Sequence, residues 1–184
     1  MAQSKIMRKH ITLLCLFGLL TANCLASEQQ FLLECERRYG VPLNLLSGVY
    51  FVESSEGKIL GDTKAVDVLS PKQIKYLRKI AQHTGRSIKE FRGSTAGAIG
   101  PFQFMPGTWW QYKQDGNGDN VRDLLNFYDA GATAAFYLAH LIKLKGLDTA
   151  LLKYAGALTQ GRTYPDRVLS YRSLDPQPSR HDRR

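Results

Sequence analysis

The chain has 184 residues, of which 43% are hydrophobic and 22% are charged. This length suits a single domain, and this apolar content excludes wholesale disorder. The three cysteines cannot all pair with one another, which argues against a dense disulfide scaffold. The 25 Lys and Arg residues outnumber the 16 Asp and Glu residues, and the formal net charge of +9 favours an anionic partner such as nucleic acid, a membrane surface or an acidic polymer.

The N-terminus has the layout of a secretory signal peptide. Three basic residues within the first nine precede an apolar run at 11–20 and a small-residue stretch at 21–27, and cleavage is predicted after Ala26. The apolar run is shorter than the roughly 20 residues that a membrane span needs. An uncleaved anchor is the alternative, whereas a lipoprotein signal is disfavoured because Asn23, which is not a small residue, precedes Cys24. We therefore expect export to the periplasm or cell envelope.

Removal of residues 1–26 would change the totals. This segment holds three basic residues and no acidic one, so the remaining chain carries 22 minus 16 charges, or +6. It also holds Cys15 and Cys24, which leaves Cys35 as the one thiol. Because Cys35 follows Phe31 and Leu32 at helical spacing, we predict that it is a buried small hydrophobic residue and not a nucleophile.

Apolar spacing and capping residues predict helices along the rest of the chain. The segment 42–56 carries apolar residues around most of its circumference, which is typical of a buried central helix. Residues 130–145 form the longest predicted helix, with Asp129 as its N-cap. The other predicted helices cover residues 28–38, 72–83, 106–111, 147–155 and 165–172, and a short helical piece lies at 87–91 within the loop 84–105.

The predicted fold class is all-α, because no strand-like alternation longer than a few residues and no internal repeat occurs. We assign residues 27–174 to one domain. Residues 175–184 are rich in proline and charge, which predicts a disordered tail.

Glu53 is a charged residue near the end of the apolar helix predicted at 42–56. Burial of a carboxylate is costly unless it is paired or opens to a cleft, and the same setting raises a carboxyl pKa toward the value that a general acid needs near neutral pH. The alternative is a helix-end carboxylate that faces water or binds a neighbouring serine. Glu56 is the rival acid, but its place beside Gly57 predicts a side chain that faces solvent.

A second cluster lies in the loop at 93–109. Gly97 and Gly100 permit backbone conformations that are closed to other residues, and they allow close approach of a ligand or another chain segment. Gln103 offers a donor and an acceptor among aromatic rings, which suits sugar amides and hydroxyls. The alternative is a tight turn between helices in which the amide is satisfied internally.

The two clusters together resemble the lytic transglycosylases of the lysozyme-like superfamily, most closely the membrane-bound lytic transglycosylase B type with its SLT-like domain. The resemblance spans residues 40–172. It is strongest at 93–106, which follows the family pattern G-S-x-A-G-A-x-G-x-x-Q-F-M-P downstream of Glu53-Ser54. Residues 164–171 resemble the closing helix of the family. The chain departs from the family at Ala155, where an asparagine is expected, and at Glu56, where an aromatic residue is expected.

This resemblance implies a lysozyme-like domain with a glycan-binding cleft, and it implies roles for particular residues. Glu53 matches the catalytic acid of the family. The residues implied to bind substrate are Ser54, Gly100, Gln103, Phe104 and Tyr154.

The resemblance also implies a reaction. Neutral Glu53 would protonate the oxygen of the β-1,4 bond between N-acetylmuramic acid and N-acetylglucosamine, and the ionised residue would then take the proton of the muramoyl 6-hydroxyl as a 1,6-anhydro ring closes. Most glycosidases use two carboxylates, whereas this reaction uses one. No cofactor is expected to be required.

The polar loop at 115–120 leaves two interpretations open. Its oxygen-bearing residues alternate as in calcium loops, although the usual glycine at the sixth position is Asn120 and the usual glutamate at the twelfth is Asn126. In a structural Ca²⁺ site the ligands would be Asp115, Asn117, Asp119, the Val121 carbonyl and, by resemblance to the family, Asp129. The other interpretation is a polar surface turn with Asp129 as a helix cap.

Two other functions stay open from the sequence: a lysozyme-type muramidase that hydrolyses the same bond, and a non-catalytic peptidoglycan-binding module. Nucleic-acid binding is not expected, because the basic residues at helical spacing between 72 and 92 more simply form a solvated face on an exported chain. A zinc enzyme is disfavoured because His83, His140 and His181 lack zinc-ligand spacing with cysteines. We expect a monomer that binds peptidoglycan glycan strands, with a cell-envelope secretion or conjugation apparatus as a further partner.

Overall fold

The computed structural model describes residues 27–156 and 163–171. The predicted signal peptide and the predicted tail lie outside these ranges. The helices are α1 (27–39), α2 (Leu43–Ser54), α3 (Ala65–Val68), α4 (Pro71–Thr84), α5 (Pro106–Tyr112), α6 (Phe127–Lys145), α7 (Leu147–Tyr154) and α8 (Thr163–Ser170), with a 3-10 turn at Ile88–Glu90. The predicted all-α class is confirmed. None of the helices in these ranges is both long and apolar enough to cross a membrane.

The ends of α4 follow the sequence signals that predict them. The Ser70 hydroxyl accepts a hydrogen bond from the backbone N–H of Gln73, and Pro71 occupies the first helical position. Gly85 ends the helix with a φ of 67°, a left-handed conformation that costs glycine little. These local signals explain why the predicted and observed bounds of this helix differ by one residue at each end.

The start of α6 corrects one sequence prediction. The side-chain carbonyl of Asn126 accepts hydrogen bonds from the N–H groups of Tyr128 and Asp129, so Asn126 is the N-cap and the helix starts at Phe127. The prediction that Asp129 caps this helix was wrong. Asp129 lies in the first turn and its side chain is fully buried.

A small antiparallel sheet is a feature that the sequence pattern did not predict. Strand β1 (Thr63–Lys64) pairs with β2 (Arg92–Gly93), with Thr63 opposite Gly93. Two isolated bridges, Gly93 to Ile99 and Ile99 to Phe104, extend this pairing into the following loop. Strands of two residues are too short to show alternation, so no sequence periodicity reveals them. The sheet fixes the loop that carries Gln103.

Helix α2 lies in the core, as its apolar circumference predicts. Seven of its 12 residues are buried. Tyr50 stacks on Phe102 with ring centroids 5.0 Å apart and lies 5.1 Å from the ring of Phe127 at the start of α6. Cys35 in α1 is 3% exposed, which confirms the prediction of a buried small hydrophobic residue. Burial, reinforced by the charge of Glu34, raises the pKa of its thiol to about 12.

The backbone of α8 packs closely against α2. A Cβ atom added to Gly48 would lie 2.4 Å from the backbone oxygen of Val168, a separation that real atoms do not tolerate. Both residues are buried. The glycine therefore permits the approach of the two helices that brings α8 beside the last turn of α2.

Candidate active site

Glu53 lies in the last turn of α2, within reach of α8. The hydroxyl of Tyr164 in α8 donates a hydrogen bond of 2.5 Å to Oε1 of Glu53. Burial raises the pKa of Glu53 to about 7, against the lowering effects of this hydrogen bond and of the Arg167 guanidinium. The expected direction of the pKa shift is confirmed. A carboxyl group with this pKa exchanges its proton near neutral pH.

Two tyrosines surround this carboxyl group as protonated phenols. Burial, followed by the negative charge of Glu53, raises the pKa of both Tyr154 and Tyr164. Tyr154 donates its hydroxyl proton to the backbone oxygen of Phe102 at 3.0 Å, so its donor is already used within the protein. Tyr164 is thus the phenol that donates to Glu53 itself.

Ser54 joins the end of α2 to the glycine-rich loop. Its hydroxyl lies 2.7 Å from the carbonyl oxygen of Pro101 and accepts a hydrogen bond of 2.9 Å from the N–H of Gly57. The residue is 2% exposed. The hydroxyl thus has partners within the protein, and the substrate contact predicted for Ser54 stays a prediction. Ser54 sets the position of Glu53 relative to the loop that leads to Gln103.

The chain leaves α2 through three successive left-handed residues. Ser55, Glu56 and Gly57 have φ values of 50°, 58° and 76°. The sequence predicted that the Glu56 side chain faces solvent, but the structure buries most of it. Its Oε1 accepts a hydrogen bond of 2.5 Å from the hydroxyl of Tyr171, and its side chain is 25% exposed. Its Oε2 lies 3.4 Å from Nζ of Lys58.

Gly97 and Gly100 have φ values of 83° and 80°, which confirms that this loop uses conformations that favour glycine. A Cβ atom at position 100 would lie 2.3 Å from the carbonyl oxygen of Leu124. Packing against the protein's own backbone thus suffices to require glycine here, and the predicted ligand contact at Gly100 stays a prediction.

Gln103 is half-buried and has a φ of 47°, which is unusual for a residue other than glycine. Its amide nitrogen donates to the carbonyl oxygens of Gly100 at 2.8 Å and Leu60 at 3.2 Å. Within the part of the chain that the structure describes, the side-chain oxygen has no hydrogen-bond partner. The amide is therefore held from its donor side, and its acceptor remains available.

Phe104 lies in the hydrophobic core. The side chain is 3% exposed. Its ring lies 5.7 Å from the rings of Trp109 and Tyr154 and 6.4 Å from that of Tyr137. This is a core aromatic residue, and the substrate contact that the resemblance implies stays a prediction.

The loop at 115–120 closes on itself through hydrogen bonds. Asp115 accepts from the N–H groups of Gly118 and Asn120, Asp119 accepts from that of Val121, and Asn117 accepts from that of Asp119. Asn120 has a φ of 66°, so it takes the left-handed geometry that calcium loops normally give to glycine.

The buried carboxylate of Asp129 completes this loop. It accepts hydrogen bonds of 2.8 Å from the N–H groups of Gly116 and Asp123. Burial raises its pKa, and the negative charge of Asp119 adds to the rise. The oxygen donors suit Ca²⁺ in type, but they point toward N–H groups of the loop. Within residues 27–156 and 163–171, no group of three or more His, Cys, Asp and Glu residues is placed to hold a metal ion.

Sequence reasoning missed Tyr164 and Tyr171 as partners of the two glutamates. They follow Glu53 and Glu56 by 111 and 115 residues. The one available signal was the resemblance of residues 164–171 to a closing helix, and that resemblance did not indicate which side chains the tyrosines meet.

Comparison with known proteins gives a consistent result. A family model described as "Transglycosylase SLT domain" matches residues 21–143. The membrane-bound lytic murein transglycosylase B of Escherichia coli (strain K12) is 32% identical over 117 residues, which are 55% of this chain and 32% of that protein.

Two solved structures resemble the fold. The Escherichia coli lytic transglycosylase SLT35 in complex with calcium has 26% identity and a TM-score of 0.59, over 63% of this chain and 41% of that chain. SltB3 from Pseudomonas aeruginosa in complex with NAG-anhNAM-pentapeptide has 30% identity and a TM-score of 0.58, over 65% of this chain and 35% of that chain. The chain thus spans well under half the length of each of these relatives.

Proposed function

The chain belongs to the transglycosylase SLT domain family, and we propose that it is a peptidoglycan lytic transglycosylase in which Glu53 acts as general acid and then as general base. The observation that carries this proposal is the setting of Glu53: a carboxyl group whose pKa is raised to about 7, hydrogen-bonded to Tyr164 and joined through Ser54 to the loop of Gln103. The relative from Escherichia coli is named a lytic murein transglycosylase.

In the proposed reaction the proton of Glu53 passes to the oxygen of the β-1,4 bond between N-acetylmuramic acid and N-acetylglucosamine. The bond to C1 of the muramoyl residue breaks, and the substrate's acetamido group stabilises the positive carbon. Ionised Glu53 then takes the proton of the muramoyl 6-hydroxyl, whose oxygen bonds to C1 and closes the 1,6-anhydro ring. The hydrogen bond from Tyr164 favours the ionised state of Glu53 between the two proton transfers.

A hydrolytic muramidase is the second candidate, because Glu56 supplies another carboxylate three residues from Glu53. In such an enzyme the second carboxylate activates a water molecule or attacks the sugar. The carboxylate of Glu56 is instead bound to Tyr171 and lies near Lys58. These contacts favour the reaction that needs one catalytic carboxylate.

Gln103 is the substrate-binding residue that the geometry supports best. Its nitrogen is held by two backbone carbonyl groups, which leaves its side-chain oxygen to accept a hydrogen bond. We propose that this oxygen accepts from the acetamido N–H or a hydroxyl of the glycan.

The test compares wild-type protein with Glu53→Gln on isolated cell walls, by zymography and by mass spectrometry of the soluble products. Wild-type protein is expected to release 1,6-anhydro muropeptides, and Glu53→Gln to release none while its circular dichroism stays unchanged. Glu34→Gln, at an exposed position of α1, is the matched control and should be fully active. Reducing muropeptides would establish the muramidase, and no product from wild-type protein would favour a binding module.

A structural Ca²⁺ ion in the loop of Asp115, Asn117, Asp119, Val121 and Asp129 remains a proposal without a part in the reaction. In support, one resembling structure is described as a complex with calcium. Such an ion would have to replace the N–H groups that now bind these oxygens. We expect the melting temperature to rise in millimolar Ca²⁺ relative to chelator, and an unchanged value would favour the polar surface turn.

We also propose that the protein acts in the cell envelope as a monomer on peptidoglycan strands, with residues 1–26 as its export signal. A secretion or conjugation apparatus is the proposed partner. Fractionation of a cell that expresses the full chain, with N-terminal sequencing of the product, tests cleavage after Ala26.

A further inference from the structure

Two tyrosines near the C-terminal end of the described chain contact two glutamates at the end of α2. Tyr164 donates to Glu53 and Tyr171 donates to Glu56, each over 2.5 Å. Tyr164 lies in the first turn of α8, and Tyr171 directly follows Ser170, the last residue of that helix. The two hydrogen bonds therefore connect the same two segments at successive points.

The segment between the tyrosines packs directly on α2. The backbone oxygen of Val168 occupies the place that a Cβ atom of Gly48 would need. The ring of Tyr171 stacks on that of Phe51, with centroids 4.9 Å apart and an interplanar angle of 28°. Phe51 is 44% exposed, so this stack lies at the rim of the interface and not in the core.

The backbone at Ser55 and Glu56 is strained. Ser55 and Glu56 both adopt left-handed φ values, which cost residues other than glycine about 1 kcal/mol each. Such conformations persist only where surrounding contacts hold them. Here Ser54 is hydrogen-bonded to Pro101 and Gly57, and the N–H of Glu56 lies 3.4 Å from the carbonyl oxygen of Tyr50.

We propose that Glu56 and Tyr171 form a latch that holds α8 on α2 and thereby keeps the Tyr164 hydroxyl on the Glu53 carboxyl group. Glu56 is then a positioning residue that acts through Tyr171 and α8, and it is not a second catalytic carboxylate. This inference rests on the proposed function, since it assigns Glu56 and Tyr171 to the setting of the same acid.

The charged groups near both glutamates determine what a change in the latch does. Glu53 faces Tyr164 and Tyr154 and feels the positive charge of Arg167. Glu56 faces Tyr171 and Lys58, and its negative charge also raises the pKa of Glu28.

Loss of the Tyr164 hydrogen bond raises the pKa of Glu53, because the donor stabilises the ionised form. Removal of the negative charge of Glu56 alone would shift that pKa downward, so the two effects have opposite signs.

Tyr171→Phe is the decisive variant, because it removes one hydroxyl, keeps the ring on Phe51 and changes no charge. The pKa of Glu53 is measured by NMR titration of carboxyl groups labelled with carbon-13, and kcat and KM are measured on cell walls. We expect Tyr164→Phe to raise the pKa of Glu53 by about one unit, as loss of a hydrogen bond to a charged group implies. We expect Tyr171→Phe to raise it in the same direction by less.

The kinetic expectation follows from the same geometry. Misplacement of the acid lowers kcat about tenfold in Tyr164→Phe and several-fold in Tyr171→Phe, with KM nearly unchanged. Glu56→Gln keeps an acceptor for Tyr171, whereas Glu56→Ala does not, and both lack the charge. The Ala variant should therefore show the higher Glu53 pKa and the lower kcat of the two. Tyr76→Phe in α4 is the control and should match wild-type protein.

The latch would be overturned if Tyr171→Phe left both the pKa of Glu53 and kcat at wild-type values while Tyr164→Phe changed them. A lower melting temperature in Tyr171→Phe without a change in the Glu53 pKa would also overturn it, because that result describes a purely structural contact. The NMR titration needs no turnover. Failure of the proposed function would appear as absence of anhydro products from wild-type protein, and it is thus distinguishable from failure of the latch.

Discussion

The burial that raises the pKa of Glu53 also lowers the stability of the folded state at neutral pH. An unfolded chain ionises this carboxyl group near its ordinary pKa of 4.5, whereas the folded chain holds the proton up to about pH 7. Between these values the folded state binds more protons, so stability falls as pH rises. Below pH 4.5 the group is protonated in both states and imposes no such cost.

We therefore predict that Glu53→Gln stabilises the protein at pH 8 and not at pH 4. The shift from 4.5 to about 7 corresponds to about 3 kcal/mol at 1.36 kcal/mol per unit, which sets the upper size of the gain. Urea unfolding at the two pH values measures it, with Glu34→Gln as the control. Equal gains at both pH values would contradict the assigned pKa.

Single residues also show how far the sequence could predict the site. The position of Glu53 on an apolar helix left two interpretations open, and the catalytic role came from the family resemblance. The family resemblance implies that Ser54 and Phe104 bind substrate, but a match of residue types does not determine where a side chain points at a helix end or in a tight turn. Their side chains enter the interior, and only the fold determines that.

At the scale of elements, the sequence predicts a helix end correctly where a neighbouring residue caps it. The prediction is wrong where a contact with a distant part of the chain determines the end. Ser70 and Gly85 bound α4 as their residue types suggest. The end of α2 instead uses Ser55 and Glu56 in left-handed conformations, because hydrogen bonds to the loop at 101 hold this segment. The strands at 63–64 and 92–93 were missed for a related reason, since they form where two loops meet.

This contrast gives a paired prediction on the two C-caps. Ser55 and Gly85 occupy the same position after their helices, with φ values of 50° and 67°. Ser55→Gly should stabilise the protein by about 1 kcal/mol, and Gly85→Ala should destabilise it by a similar amount, since a side chain is disfavoured in this conformation. A Cβ atom at position 85 has nothing within 4 Å, so no clash complicates the second variant. Thermal unfolding tests both, and shifts of the same sign would refute the argument.

At the scale of the molecule, several positively charged side chains lie near the ring of Trp110. Nζ of Lys113 lies 3.8 Å from the ring centroid of Trp110, and Nζ of Lys79 lies 5.4 Å from it. Burial lowers the pKa of Lys113, and the charges of Arg122 and Lys79 lower it further. Within the described part of the chain, none of the three cations pairs with a carboxylate. The excess positive charge of the sequence thus includes a cluster that no carboxylate among the described residues pairs with.

We predict that this cluster increases attraction to the acidic cell wall. In a Glu53→Gln background, replacement of Lys79, Lys113 and Arg122 by glutamine should weaken binding to isolated walls at low salt and flatten its salt dependence. A control with Lys143, Lys145 and Lys153 changed to glutamine removes the same charge from other exposed positions. Co-sedimentation across a salt series measures both, and equal losses would mean that net charge alone matters.

The hydrogen bond between Tyr164 and Glu53 also determines when the surroundings of Glu53 can form during synthesis. A chain is synthesised from its N-terminus, and this bond joins residues 111 positions apart. Glu53 therefore emerges from the ribosome long before the helix that completes its surroundings. Until that helix has been made and has folded back onto α2, the acid lacks its tyrosine. In the proposed reaction, the acid therefore acquires its hydrogen-bond donor only after the chain has been synthesised at least as far as Tyr164.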